Sequence, residues 1–429
     1  MADVKQEQPG YGDNSTPRLK PEPVSHGGAH AVAAARRHGV TTLFTLSGGH
    51  VFPLYDGAVK ADPPMRLLDV RHEQTAVFAA EATARLTRTP GFAVLTAGPG
   101  VTNGISAVTT AHFNGSPVVV LAGRAPDYRW GSGSLQELDH PPLLAPVTKR
   151  AWTEHEAANV GAAVDEAFRL ARTPHRGPVF LDIALEALFG EAGAVPAAPL
   201  GPSAGHAAHG RPGTGPVGDV SPASRSAAQD RPPAPPGRAA TPGGSRAPGL
   251  DSGAVAEIAG LLAKSSRPVL VLGSDVWMAG AEVAARETAE ALRLPVIANG
   301  QGRGVLPGGH DLLVTRARSA AFAGADLVIV VGAPLDFRLG YGEFGGRDGG
   351  PRARVVHVAD APDQTPTHCP LAASAVGDLT AFFAALADAV AQSIRTAGTP
   401  SASLTWEETW LPRLRAATRD AVAADRILL

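Results

Sequence analysis

One cysteine, Cys369, stands in 429 residues. A single thiol excludes an intrachain disulfide and any zinc site built from cysteines, and Cys369 reads as a buried or half-buried spectator. No apolar run is long enough to span a bilayer. The opening stretch Lys5-Gln6-Glu7-Gln8-Pro9-Gly10 has no apolar core of secretion-signal length. A soluble, cytoplasmic protein without a membrane partner is expected. Charge of one sign is not concentrated either: 38 Lys and Arg face 40 Asp and Glu, for a net −2. Nucleic-acid binding would need a basic patch, so no nucleic-acid partner is expected. Several motifs are also missing. There is no Walker phosphate loop, no intact dinucleotide fingerprint after a strand and no His-Glu-x-x-His helix. Gly131-Ser132-Gly133-Ser134 is only a broken form of the hydrolase elbow.

What is present is a regular alternation. Residues 26–190 alternate short apolar runs, such as Pro117-Val118-Val119-Val120-Leu121-Ala122, with helical patterns. Residues 251–392 repeat the theme, with runs such as Asp326-Leu327-Val328-Ile329-Val330-Val331. Strands alternating with helices over short connections predict two doubly wound, mostly parallel α/β domains. Residues 1–25 are polar and lack periodicity, so a disordered tail is expected there. Residues 191–250 hold few large apolar groups and cannot offset their ordering entropy, which predicts a long disordered linker. Residues 393–429 predict a connecting helix around Trp406, Trp410, Leu411 and Leu414.

Three turns fall at strand ends in the first domain: Ser47 to His50, Arg71 to Gln74, and Gly98 to Asn103. In a doubly wound sheet, ligands bind at that edge. Glu73 stands where a strand gives way to a helix. Two readings of it are open from pattern alone. It is an exposed acid favoured by the helix dipole, or it faces a pocket of glycine backbone and small residues. A carboxyl group so enclosed can donate a hydrogen bond to a ring nitrogen, because desolvation disfavours its anion.

The three turns, in order, resemble motifs of the thiamine-diphosphate-dependent enzymes of the acetolactate synthase type. They read Leu46-Ser47-Gly48-Gly49, Arg71-His72-Glu73-Gln74 and Gly98-Pro99-Gly100-Val101-Thr102-Asn103. Leu135-Gln136-Glu137 resembles that family's Phe-Gln-Glu, while Gly302-Arg303-Gly304 and Asp336-Phe337-Arg338 resemble motifs of its central domain. The resemblance implies a pyrimidine-binding domain followed by a central domain. It implies that Glu73 bonds N1′ of the aminopyrimidine and that Gly98, Pro99, Gly100 and Asn103 flank that ring. Gln136 would reach the reacting centre, or be an ordinary loop glutamine. His50 is a candidate proton carrier, or a helix-start histidine with a backbone partner. The implied cofactors are thiamine diphosphate and Mg²⁺, and the implied substrate is a 2-oxo acid that is decarboxylated and joined to another, as in branched-chain amino acid biosynthesis.

Two departures qualify this. The family's Mg²⁺-diphosphate grip is a Gly-Asp-Gly motif followed by Asn. Gly377-Asp378 lacks the third glycine and reads as a turn. No metal ligands are therefore expected in this chain. The diphosphate domain is expected to be missing, leaving the chain incomplete and inactive alone. It would be completed as a homodimer or by a chain carrying that domain. The family's FAD site would use Arg316 and Arg338, but its earlier arginine is Pro334 here, which argues against FAD. Two alternatives stay open: an enzyme resembling 2-hydroxyacyl-CoA lyase or oxalyl-CoA decarboxylase, with ADP in the central domain, and a non-catalytic partner of a full-length paralogue.

Overall fold

The computed structural model describes residues 25–195, 249–346, 351–396 and 406–428. The expected tail to residue 24 and the linker over 196–248 lie outside the described residues.

The first domain runs α1 (Gly27–Arg37), β1 (Thr42–Thr45), α2 (Phe52–Lys60), β2 (Arg66–Asp69), α3 (Glu73–Thr87), β3 (Gly91–Leu95), α4 (Pro99–Phe113) and β4 (Val118–Arg124). It continues with α5 (Pro141–Leu144), β5 (Ala151–Glu154), α6 (Val160–Arg172), β6 (Val179–Ala184) and α7 (Leu185–Phe189). The six strands are all parallel, in the order β2-β1-β3-β4-β6-β5. Side chains alternate between faces at period 2. Leu43, Val94, Val119 and Leu181 pack with α1, α2 and α6 on one face. Phe44, Ala93, Val120 and Phe180 pack with α3 and α4 on the other. Burial on both faces explains why β4 reads as an unbroken apolar run, Val118 to Ala122.

The second domain contains α8 (Ser252–Ala263), β7 (Pro268–Leu272), α9 (Ser274–Met278), α10 (Glu282–Ala291), β8 (Val296–Ala298), α11 (Arg318–Gly324) and β9 (Leu327–Val331). Then follow β10 (Arg354–Ala359), β11 (Ala373–Val376), α12 (Leu379–Thr396) and α13 (Trp410–Leu428). Its five strands are parallel in the order β11-β10-β9-β7-β8. Trp410, Leu411 and Leu414 of α13 join this core, and Trp410 Nε1 donates to the Pro268 carbonyl at 3.0 Å. Trp406 precedes the helix and donates to the Leu292 carbonyl at 3.1 Å. No helix among the described residues is long and apolar enough to cross a membrane.

In each sheet the chain path doubles back beside its first strand. After β1 and β2 it crosses to β3 on the far side of β1. After β7 and β8 it crosses to β9 on the far side of β7. The reversal opens a crevice at the carboxyl ends of β1/β3 and of β7/β9, the place where such sheets bind ligands.

The domains meet through α3. Trp277 Nε1 of α9 and Gln301 Nε2 both donate to the Arg85 carbonyl at 2.8 Å. The Arg88 guanidinium stacks 3.7 Å over the Trp277 ring and pairs with Glu282 at 2.7 Å.

Candidate active site

The crevice at β1/β3 collects most of the residues singled out from sequence. Glu73 is the first residue of α3, behind His72, whose ring accepts the Gln74 N–H as the helix cap. Arg71 and His72 are exposed, while Glu73 is only 7 % exposed. Its Oε2 accepts from Asn103 Nδ2 at 3.0 Å, one turn into α4. Its Oε1 makes no hydrogen bond among the described residues and faces the turn at Gly100, where a Cβ would lie 3.6 Å away.

Gly98 holds φ at +58°, a left-handed value that costs glycine little. A Cβ there would lie 2.9 Å from Gln136 Cβ and from its carbonyl oxygen. Gly98 and Gln136 are thus packed together, and Gln136 itself has φ +57°. The turn is pinned from beneath. His140 is fully buried, and its Nε2 accepts the Gly98 N–H at 2.8 Å. A backbone N–H can only donate, so the His140 proton is on Nδ1, which donates to buried Asp182 at 2.8 Å. Arg124 adds its charge to the same carboxylate at 3.5 Å.

His50 is 6 % exposed, with Nδ1 3.1 Å from the Thr96 hydroxyl. Burial lowers its pKa, a hydrogen bond with the Leu135 backbone opposes that, and nearby His140 adds to the lowering. Near neutral pH it is a neutral imidazole packed behind the turn.

The nucleotide candidates of the second domain are not brought together. Arg316 pairs with Asp425 of α13. Arg338 pairs with Asp336 at 2.6 Å and lines a separate cleft of about 990 Å³ between the domains. Of the residues expected from sequence to form the site, only Arg338 lines it. Gly377-Asp378 is a turn, with Asp378 accepting the Ala381 N–H at the start of α12.

That cleft holds residues the sequence reading missed. Asp275 in the first turn of α9 and His175 ahead of β6 line it, and Asp360 just after β10 converges on them from beneath its lining. Burial pushes the Asp275 carboxyl up to about 7 against the pull of His175. Burial alone would lower the His175 pKa, but the hydrogen bond to Asp360 and the charge of Asp275 outweigh it and raise the pKa. Lys149 donates to the Thr173 carbonyl at 2.7 Å, and burial lowers it to about 8. Asp275 and Asp360 each follow an apolar strand run, as Glu73 does, and that signal could have marked them. For Asp182 the signal was a charge inside the apolar run Val179 to Ile183.

Comparison with known proteins agrees with this geometry. Residues 25–143 match the thiamine pyrophosphate enzyme N-terminal TPP binding domain, and residues 255–386 match the thiamine pyrophosphate enzyme central domain. The acetolactate synthase large subunit IlvG of Mycobacterium tuberculosis is 41 % identical over 374 residues, covering 86 % of this chain and 59 % of that protein. Human 2-hydroxyacyl-CoA lyase 2 is 33 % identical over 324 residues, covering 74 % of this chain and 49 % of that protein. The chain therefore spans about half to three-fifths of the length of these relatives. It belongs to the thiamine pyrophosphate enzyme family, of which it carries the N-terminal and central domains.

Proposed function

We propose that the chain holds the pyrimidine half of a thiamine-diphosphate site for decarboxylation and carboligation of 2-oxo acids, as in acetolactate synthases. One observation carries the reading. Glu73 is a buried carboxyl with Oε2 fixed by Asn103 and Oε1 left without a partner among the described residues, beside a glycine turn. Those residues fit an aminopyrimidine: Glu73 Oε1 holds and moves a proton at N1′, while Gly98 and Gly100 leave room for a flat ring. Bound thiamine diphosphate supplies the electron sink that lets a 2-oxo acid lose carbon dioxide. The chain's own work is orientation and proton control. His140 and Asp182 keep the Gly98 N–H turned inward, Gln136 lies at the rim toward the substrate, and neutral His50 backs the turn without adding charge.

Neither domain contributes a Gly-Asp-Gly…Asn grip, so we assign the diphosphate and its Mg²⁺ to residues outside them. A second chain of the same kind, or one carrying the diphosphate domain, is the proposed source. FAD is left out of the proposal. Asp275 occupies the first turn of the helix after β7, where a dinucleotide pyrophosphate would sit, and its carboxylate opposes that charge. Identity to 2-hydroxyacyl-CoA lyase 2 favours a second reading, in which the same Glu73 serves cleavage of a 2-hydroxyacyl thioester.

The test adds the diphosphate domain of a relative in trans and follows 2-oxo acid consumption. Glu73→Gln is expected to lower turnover by about 10²–10⁴-fold with the fold intact. Unchanged turnover would remove Glu73 from the reaction. A complemented wild type that never turns over, on either substrate class, would favour a non-catalytic partner.

A further inference from the structure

The cleft between the domains presents three donors to one point. His175 Nδ1 lies 3.1 Å from an Asp360 oxygen and 3.9 Å from an Asp275 oxygen. All three donor atoms lie within 4.8 Å of one another. A cation bound at about 2.1 Å from each donor would set tetrahedral donors about 3.4 Å apart. The observed separations bracket that figure with little movement.

The surroundings argue for an occupant rather than a closed ion-pair network. Asp275 is 9 % exposed and lines the cleft, and its carboxylate makes no hydrogen bond among the described residues, with His175 Nδ1 beside it at 3.9 Å. A carboxylate so buried normally finds a partner. Asp360 is 3 % exposed, and its second oxygen receives Arg176 Nη1 at 3.4 Å. That is the outer contact that fixes a ligating carboxylate. The His175 ring is wedged against Gly115, where a Cβ would come within 2.5 Å of Nε2, so its Nδ1 edge is turned to the two acids. Lys149 is committed to Thr173 and does not fill the gap.

We propose that His175, Asp275 and Asp360 bind one first-row divalent cation, Zn²⁺ or Mn²⁺, which ties the first domain to the second. The imidazole ligand favours these ions over Mg²⁺ and Ca²⁺, which prefer all-oxygen sets. The site is independent of the thiamine reading, since Asp275 and Glu73 lie in different crevices.

Calorimetric titration of the metal-stripped full chain tests this, with Zn²⁺, Mn²⁺ and Mg²⁺ in turn and no thiamine present. Zn²⁺ or Mn²⁺ is expected to bind at about one per chain and to raise the unfolding temperature, because it binds only the folded state. Asp275→Asn is expected to weaken that binding at least about tenfold, while the metal-free variant unfolds at the same or a higher temperature. His175→Gln, on the other domain, gives the same loss and serves if Asp275→Asn misfolds. Three results would overturn the proposal: no stoichiometric binding of Zn²⁺ or Mn²⁺, equal affinity for Mg²⁺, or binding untouched by both substitutions.

Discussion

The two sheets are wound alike, yet their crevices differ in kind. In each, the strand order reverses beside the first strand and a carboxyl group enters the opening from a helix start: Glu73 on α3 and Asp275 on α9. A positive-φ glycine lies across each gap, Gly98 after β3 and Gly332 after β9. There the likeness ends. Glu73 has an amide, Asn103, on one oxygen and open space by Gly100 on the other. Asp275 has a second carboxylate and an imidazole within 4.8 Å, and Gly332 packs so closely that a Cβ would meet the Asp275 Cβ at 2.9 Å. Topology sets where a ligand goes; the side chains around the acid set which ligand. The two places are joined mechanically, since α3 begins at Glu73 and its last turn carries Arg85, about 18 Å on at 1.5 Å per residue, to α9.

The largest expected effect separates the two acids by turnover. In the complemented enzyme Glu73→Gln falls by about 10²–10⁴-fold, whereas Asp275→Asn stays within a few-fold. Equal losses would merge the two crevices into one site. Next comes stability. Asp182→Ala leaves His140 buried without its carboxylate partner and is expected to cost about 3–5 kcal/mol in denaturant unfolding. A change below about 1 kcal/mol would mean that the Gly98 turn is not held from beneath. A smaller effect is expected for Asn103→Ala, about tenfold in turnover. A hydrogen bond to a charged group contributes about 1.5–3 kcal/mol, and Asn103 is itself exposed.

The smallest is a pH slope in the interdomain cleft. Lys149 is lowered by burial from 10.5 to about 8, so the folded state disfavours its charged form. Between those values the unfolded chain binds more protons, and stability rises with pH. Lys149→Met should flatten that rise between pH 8 and 10; an unaltered slope would assign it to another group.

Much of this was legible in sequence, for definite reasons. Strands buried on both faces announce themselves, as β4 and β9 do. Strand β5 does not, because Ala151–Glu154 is half exposed at the sheet edge and carries no alternation. Helix α10 starts only at Glu282. Gly280, at φ +76°, breaks the path, and Ser274–Met278 forms its own short helix ahead of it. Glu73, Gly98 and Asn103 were readable because each sits at a strand end or one turn beyond. Gln136 reached the same place through a loop that only the motif resemblance marked. His175, Asp275 and Asp360 were not found together, because 185 residues separate the first from the last and no local spacing records their convergence. The resemblance makes Arg316 a candidate nucleotide contact, while the structure pairs it with Asp425 of α13, beyond the reach of any local pattern.

The central claim is that Glu73 controls the proton at N1′ of the pyrimidine. Deuterium exchange at C2 of thiamine diphosphate, followed by NMR in the complemented enzyme, reads that control without any substrate. The wild-type chain is expected to speed exchange over free cofactor, and Glu73→Gln to remove about 10²–10⁴-fold of that gain. Exchange in Glu73→Gln as fast as in the wild type would contradict the account.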